Sequence, residues 1–535
     1  MRPRLWLALV PFLLLLGLAW EGIDFGFHWD EDFNKINAVV YSLEHECTLL
    51  PDGYTYPSVN YWLTVAALTP EIVQTAHRSG LHSQAYQAAL VPVLRSPAFM
   101  LRLRRVYSGV TALTAVWIFL TVWAWGGGIC LACVSGLLLA TTFEVIYHAR
   151  WVAPDTILMQ FGALTLLLLV LAWKRGWAPG TRLAAVAAGL ACGTKYPGAL
   201  LMAPVLALPF LRVTPGGGWG RALREAAVLG AIFLGAYLVT TPGTVLQPLI
   251  FLNALRDARK VYAEGWYGYT VTPGTSHLGK IAVYFATAVF STLRPLAIGW
   301  FVLVVAGIGA VWREGWRFAL LVLLFPLLYV PYFSVQATMV VRNYLVLVPF
   351  AVFLLILGIA EIDRRLPARA LRIGFVSLLT LALAFDLVDQ VRASATVARR
   401  RDTAGFVADF ARYADRHPRR VFLVSPLLAT ALRSQGLWFK PNFRMAGNAV
   451  GRYHEYVSFY TETVPPYESW PTNRPGTFKA VFGPRDVNMD YYTGWPGGER
   501  VISLTSVTMA EMELKPAPSA PPIPANPPPP AAAKN

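Results

Sequence analysis

Residues 156–175 read TILMQFGALTLLLLVLAWKR, an uncharged run closed by Lys174 and Arg175. A helix rises about 1.5 Å per residue, so a run of this length matches the roughly 30 Å hydrocarbon core of a bilayer. Similar runs lie at about 5–22, 106–125, 129–147, 182–194, 197–212, 223–241, 295–312, 317–334, 343–360 and 372–389. The 535-residue chain is 56% hydrophobic and 14% charged, far from the averages of soluble domains. The pattern predicts a polytopic α-helical membrane protein with about 11 spans, the division of 182–194 from 197–212 being the weakest.

The connections between the runs carry a consistent sign. Lys174, Arg175 and Arg182 fall on one side, as do Arg212, Arg221 and Arg224. Arg313, Arg317, Arg364, Arg365, Arg369 and Arg372 share that side with the N-terminus. Positive connections face the cytoplasm, so the N-terminus is expected inside and the C-terminus outside. The net charge of +16 thereby reads as topology and contact with anionic membrane lipids. No zinc-finger, basic-helix or aromatic-basic module accompanies it, so no nucleic-acid partner is expected.

Leu5 to Trp20, behind Arg2 and Arg4, has the look of a signal peptide without a small-residue cleavage site. An uncleaved signal-anchor is the expectation. Of the four cysteines, Cys130 and Cys133 form a C-x-x-C inside an apolar run, where they read as packing residues.

Three long segments fall outside: 23–105, 242–294 and everything after 390. The Arg95–Arg105 cluster sits there against the charge rule, which suggests service to something anionic at the outer surface. Segments 32–46 and 57–70 have the apolar spacing and aromatic content of helices lying on the membrane. Residues 1–392 are therefore expected to form the membrane domain, with interfacial helices within 32–70. Residues 393–512 turn polar, with strand-like runs at Val421–Val424, Ala480–Phe482 and Val501–Leu504 and a helical pattern at Thr403–Tyr413. A small extracytoplasmic α/β domain is expected there, followed by a disordered Pro/Ala tail at 513–535.

Four polar clusters converge on the outer face under this topology. The carboxylates Asp30, Glu31 and Asp32 open the first interfacial helix, where a helix dipole favours ionised acids and Asp32 reads as the cap. Arg150 to Asp155, Gly193 to Gly198 around Lys195, and Arg342-Asn343-Tyr344 complete the set. Each has a plain structural reading: Pro154-Asp155 as a helix start, Lys195 and Arg342 as snorkelling residues, and the Gly193–Gly198 stretch as a turn. Their joint placement on the acidic side points instead to a membrane-surface active site. His28 with Asp30 and Asp155 is compatible with a divalent metal, and the question of a metal stays open.

The order of these motifs resembles the membrane-embedded C-type glycosyltransferases (GT-C), in the branch of protein O-mannosyltransferases and the lipid A aminoarabinose transferase. The likeness covers about residues 5–390 and is carried by Asp30-Glu31, Tyr56-Pro57 with Tyr61-Trp62, Arg150 with Pro154-Asp155, Gly189 to Gly198, and Arg342 with Tyr344 and Pro349. It implies transfer of a sugar from a polyprenyl-phosphate donor to a lipid, glycan or protein acceptor, outside a bacterial inner membrane. The first-loop acid, as base or acceptor-orienting group, would be Asp30 with Glu31 beside it; the second acidic position matches Asp155. Lys195 would face the donor phosphate, Arg342 is a looser match, and the Arg102–Arg105 group, Arg105 included, is a further candidate. Tyr56, Tyr61, Tyr196 and Tyr344 are candidates for the substrate pocket. Tyr56-Pro57 stands where the aminoarabinose transferase has Lys-Pro, so that enzyme's preferences do not carry over.

The chemistry agrees with this. Displacing a lipid phosphate from an anomeric carbon passes through an oxocarbenium-like state and needs one carboxylate base and cations for the phosphate. Two other classes compete. A flippase for polyprenyl-linked glycans would show repeats and mid-span polar groups, and neither is evident. A non-catalytic scaffold presenting 393–512 would have no need of Asp30, Asp155 and Lys195 together.

Overall fold

The computed structural model describes residues 5–26, 28, 30–31, 35–45, 48, 50–80, 84–213, 218–265, 270–291, 293–400, 403–424, 426–438, 440–445, 451–457, 477–479 and 506–514. All eleven expected spans fall on helix. By length and composition, seven described helices can cross a membrane: Pro97–Trp125, Pro154–Arg175, Trp219–Thr240, Arg294–Arg313, Trp316–Ser334, Val341–Arg365 and Arg369–Ala395. An eighth is Gly128–Thr141 with Phe143–Ala149, bent by 58° at Thr142. Leu5–Trp20, Ala178–Thr194 and Tyr196–Leu211 are shorter helices.

Pro154–Arg175 and Val341–Arg365 are the enclosed centre of the bundle, while Arg369–Ala395 is almost wholly open to its surroundings. Arg294–Arg313 crosses the last central helix through glycine. A Cβ at Gly307 would stand 1.8 Å from the Leu354 carbonyl oxygen, and one at Gly358 would stand 2.1 Å from that of Leu303. Small residues let membrane helices approach backbone to backbone, which is how dispersion packing holds them together.

The helix expected at 106–125 begins at Pro97. Ser96 caps it by accepting the Phe99 N–H at 3.2 Å, and Pro97 fills the first turn, where no N–H is needed. Arg102, Arg104 and Arg105 therefore ride on a continuous helix and not in a loop. The segments 32–46 and 57–70 carry helices at Asn37–Glu44 and Val59–Ser79, and Asp32 lies outside the described residues. The segment after 242 is helical at Gly243–Leu246, Pro248–Glu264 and Thr275–Tyr284.

A second unit begins at Thr403. Its described strands make one sheet in the order Phe443–Met445, Phe422–Val424, Gly451–Val457, Ser506–Leu514, Thr477–Lys479. The first three pair in parallel and the remaining pairings are antiparallel. Helix Thr403–Arg416 packs Phe410 flat against Phe443, with ring centroids 5.2 Å apart. The expected strands Ala480–Phe482 and Val501–Leu504, and the tail from 515, lie outside the described residues.

Candidate active site

Helix ends bring the charges together. Pro154 starts its helix and leaves Asp155 in the first turn. Helix Ala178–Thr194 stops at Lys195, whose backbone turns extended (φ −155°, ψ 132°) before the 3-10 turn Tyr196–Leu201. That reversal needs glycine: a Cβ at Gly198 would stand 2.5 Å from the Ala191 carbonyl. Arg342 enters with the 3-10 turn Val341–Leu347, and Asp30 with the turn after the first helix.

Lys195 Nζ donates to Asp155 Oδ1 at 2.6 Å and to Asn343 Oδ1 at 2.5 Å. Arg342 bridges the two acids, its Nη2 3.0 Å from Asp30 Oδ2 and its Nε 3.3 Å from Asp155 Oδ2. Lys35 Nζ stands 3.8 Å from Asp30 Oδ1 and also donates to the Asp30 carbonyl oxygen. Asn343 Nδ2 donates to the Tyr262 hydroxyl at 3.1 Å, which fixes the side-chain oxygen toward Lys195.

Aromatic rings frame the cluster. Arg342 lies 5.2 Å and Lys35 5.9 Å from the Trp151 ring centre, and Tyr56 sits 5.6 Å from Lys35 and 5.8 Å from Lys195. Cation–π contacts stabilise these charges without adding any negative charge. Exposure separates the cations: the Lys35 side chain is 0% exposed, whereas Lys195 and Arg342 each keep 7%. Burial pulls the Lys35 ammonium below its ordinary pKa, partly countered by Asp30.

Glu31 is placed differently from its neighbour. Arg104 holds it with two bonds, Nε to Oε1 at 2.8 Å and Nη2 to Oε2 at 2.5 Å, and the Val152 N–H donates to Oε1 at 3.0 Å. The anionic service expected of the Arg95–Arg105 cluster is thus partly internal: Arg104 serves Glu31, and Arg102 pairs with Glu71 at 2.6 Å. Arg105 does not join the cluster. Successive helical residues point about 100° apart. Arg104 therefore faces inward, and exposed Arg105 lies 5.8 Å from the Trp20 ring.

Of the four tyrosines, Tyr56 alone contacts the cations directly. Tyr61 donates to Ser42 Oγ at 3.0 Å and Tyr196 to the Tyr54 carbonyl at 2.6 Å. The buried Tyr344 hydroxyl lies 2.8 Å from His277 Nε2. His28 stacks on Trp151 at 4.1 Å, and its Nδ1 accepts the Asp30 N–H at 3.2 Å. The residues do not fit a metal at Asp30, Asp155 and His28. Arg342 and Lys195 hold the carboxylate oxygens a divalent ion would use, and His28 Nδ1 is engaged by backbone. Among the described residues no three His, Cys, Asp or Glu side chains gather as a metal site requires.

Residues 94–216 match the family model of dolichyl-phosphate-mannose-protein mannosyltransferases, a stretch that holds Arg104, Asp155 and Lys195. The chain is similar to this family and is a membrane glycosyltransferase. The glycosyltransferase is also similar to the crystal structure of ArnT from Cupriavidus metallidurans in the apo state. Identity there is 16%, coverage is 82% of this chain and 86% of that chain, and the TM-score is 0.48. Against the same protein bound to undecaprenyl phosphate, identity and coverage are the same and the TM-score is 0.44. No curated protein matches the glycosyltransferase by sequence.

Sequence reasoning did not name Lys35 as a member of the site, and it named Arg104 and Asn343 only within the Arg102–Arg105 group and the Arg342-Asn343-Tyr344 cluster. Asn343 had a local signal, lying beside Arg342. Lys35 had one in its five-residue separation from Asp30 across the helix start. Arg104 had none that told it from Arg102 and Arg105.

Proposed function

We propose that the glycosyltransferase takes its sugar from a polyprenyl-phosphate donor and passes it, with inversion, to a lipid, glycan or protein acceptor on the extracytoplasmic face. The carrying observation is a convergence of basic side chains. Lys35, Lys195 and Arg342 meet around Asp30 and Asp155 in a nearly dry cluster. Preorganised cations in a water-poor site stabilise negative charge that develops there. A sugar-bearing lipid phosphate brings such charge. The description of the matched family, whose donor is dolichyl-phosphate mannose, supports the same donor class.

In the reaction the acceptor oxygen bonds to the anomeric carbon while the bond from that carbon to the phosphate oxygen breaks. The electron pair leaves with the polyprenyl phosphate, and the acceptor proton passes to Asp30. The phosphate needs positive charge rather than a strong acid, because its negative charge grows in the transition state. Lys195 and Arg342 are assigned to it, since they alone of the three cations keep some exposure. Asp30 is the better base of the two acids. Asp155 is held on both oxygens at 2.6 and 3.3 Å, whereas Asp30 is held closely on Oδ2 alone, 3.0 Å from Arg342, with Oδ1 3.8 Å from the Lys35 ammonium.

The outer placement rests on the helix ends. Asp155 and Arg342 lie at the opposite ends of their helices from Lys174-Arg175 and Arg364-Arg365, the basic ends assigned to the cytoplasm. In this reading 1–392 is the catalytic membrane domain, 393–512 an extracytoplasmic domain and 513–535 a tail.

The test is transfer by membranes supplied with labelled polyprenyl-phosphate sugars. Asp30→Asn and Lys195→Ala should each lower the rate by about 100-fold or more, the usual scale for a lost base or anion-stabilising contact. Transfer persisting at the wild-type rate in both variants would sink the assignment.

A further inference from the structure

Helix Arg369–Arg400 is the most lipid-exposed of the spans, yet three of its polar side chains are buried: Asp386, Gln390 and Ser394, at 3%, 1% and 0% exposure. Their four-residue spacing sets them on one face. Polar groups at membrane depth are costly and serve a purpose by default, and each of these is committed to a different partner.

Asp386 accepts from Ser291 Oγ at 2.5 Å and from Trp300 Nε1 at 3.1 Å. Gln390 donates to the Phe290 carbonyl at 2.8 Å and accepts the Phe143 N–H at 3.1 Å. That N–H is released by the 58° break at Thr142, so Gln390 satisfies a donor the bent span cannot use itself. Ser394 Oγ accepts from Arg150 Nη2 at 2.5 Å, and the same nitrogen donates to the Leu18 carbonyl at 3.1 Å.

Arg150 leads straight into the site. Trp151, the next residue, is fully buried, lies under Arg342 and Lys35, and stacks on His28. Asp155 follows within one turn of the next helix. We infer that Ser394, seated by Gln390 and Asp386, is a positioning residue for the transfer reaction: it holds Arg150, which fixes the Trp151 ring under Arg342. The inference rests on the reaction proposed above. Ser394 touches no reacting atom and acts through Arg150 alone. Because Arg342 answers charge that grows on the departing phosphate, a shift of its support weakens the transition state more than the bound donor.

The experiment measures kcat and donor KM for the purified full chain with a labelled polyprenyl-phosphate sugar. Ser394→Ala should lower kcat about tenfold or more while donor KM moves less than about twofold, since small misplacements of a site cost up to about 100-fold. Ser394→Thr, which keeps the hydroxyl, should recover most of the loss. Arg150→Lys weakens the same contact from its other end, should give the same split, and decides the matter if Ser394→Ala does not accumulate. Wild-type kcat in folded Ser394→Ala overturns this inference alone. Absence of transfer by the wild-type protein overturns the reaction itself, and this inference with it.

Discussion

Replacing Glu31 should cost the protein stability and leave the chemistry of surviving molecules largely intact. Its partner Arg104 is 2% exposed and fully engaged. It makes two bonds to Glu31 at 2.8 and 2.5 Å, one to the Ile23 carbonyl at 2.7 Å and one to the Gly26 carbonyl, and it lies 3.9 Å over the Phe25 ring. Removing one member of such a buried pair leaves the other charge uncompensated, at a cost of about 3–5 kcal/mol. Glu31→Ala should reach the upper end, because it also orphans the Val152 N–H. Glu31→Gln, which keeps an acceptor, should fall near the lower end. Adding Arg104→Met to Glu31→Gln should restore part of the loss, since the stranded charge goes while the Ile23 and Gly26 carbonyls lose their donor. The assay is thermal unfolding in detergent, paired with transfer activity per folded molecule. Glu31→Gln that melts like wild type but has lost kcat would refute the reasoning and return Glu31 to the catalytic group.

Gly307→Ala should destabilise the bundle by at least the ~1–3 kcal/mol typical of overpacking, since its Cβ would meet the Leu354 carbonyl oxygen at 1.8 Å. An unchanged melting temperature would show that the two helices can separate freely there. The hydrogen bonds from Arg102 hold the Glu71 carboxyl below its ordinary value of 4.5. The pair therefore contributes stability above that value and loses it as pH falls through the lowered one. Both side chains are partly exposed, so the contribution is at most about 1 kcal/mol. Melting curves of wild type and Glu71→Gln should differ at pH 6, and the gap should narrow as pH falls below 4.5; a gap that does not narrow in acid would rule out the ionic origin.

The apolar runs made the helices legible because membrane insertion depends on run length and charge, both local properties. Their ends were less legible. Pro97 and Ser96 mark a helix start nine residues before the apolar run, but hydropathy does not register a cap. The site was legible as residue types at loop ends: Asp30, Asp155, Lys195 and Arg342 do meet. Which acid pairs with which cation was not legible, because pairing is decided across 73 residues for Glu31 and Arg104 and 40 for Asp155 and Lys195. Arg104 and Arg105 differ in sequence only by one step of helical rotation, and that rotation separates an ion-pair partner from an exposed side chain.

Two adjacent carboxylates with opposite fates also explain how the cluster can work without accumulating charge. Arg104 pairs with Glu31 where it stands, so of the two adjacent carboxylates it is Asp30 that faces Arg342 and Lys35. On the proposed reaction, a donor phosphodiester brings one negative charge to the cluster. Transfer moves a proton onto Asp30 and leaves a second negative charge on the phosphate, so the total is unchanged. What changes is the claim on Arg342. While Asp30 is ionised it holds the guanidinium at 3.0 Å, and once protonated it no longer attracts that charge. The same proton that frees Arg342 appears as the phosphate gains its second charge, so base and phosphate clamp are coupled through one side chain. Arginine suits that place because its planar fork addresses two carboxylates at once, from Nη2 and Nε. A lysine there would send its three donors from one nitrogen, without the planar fork that spaces the two contacts.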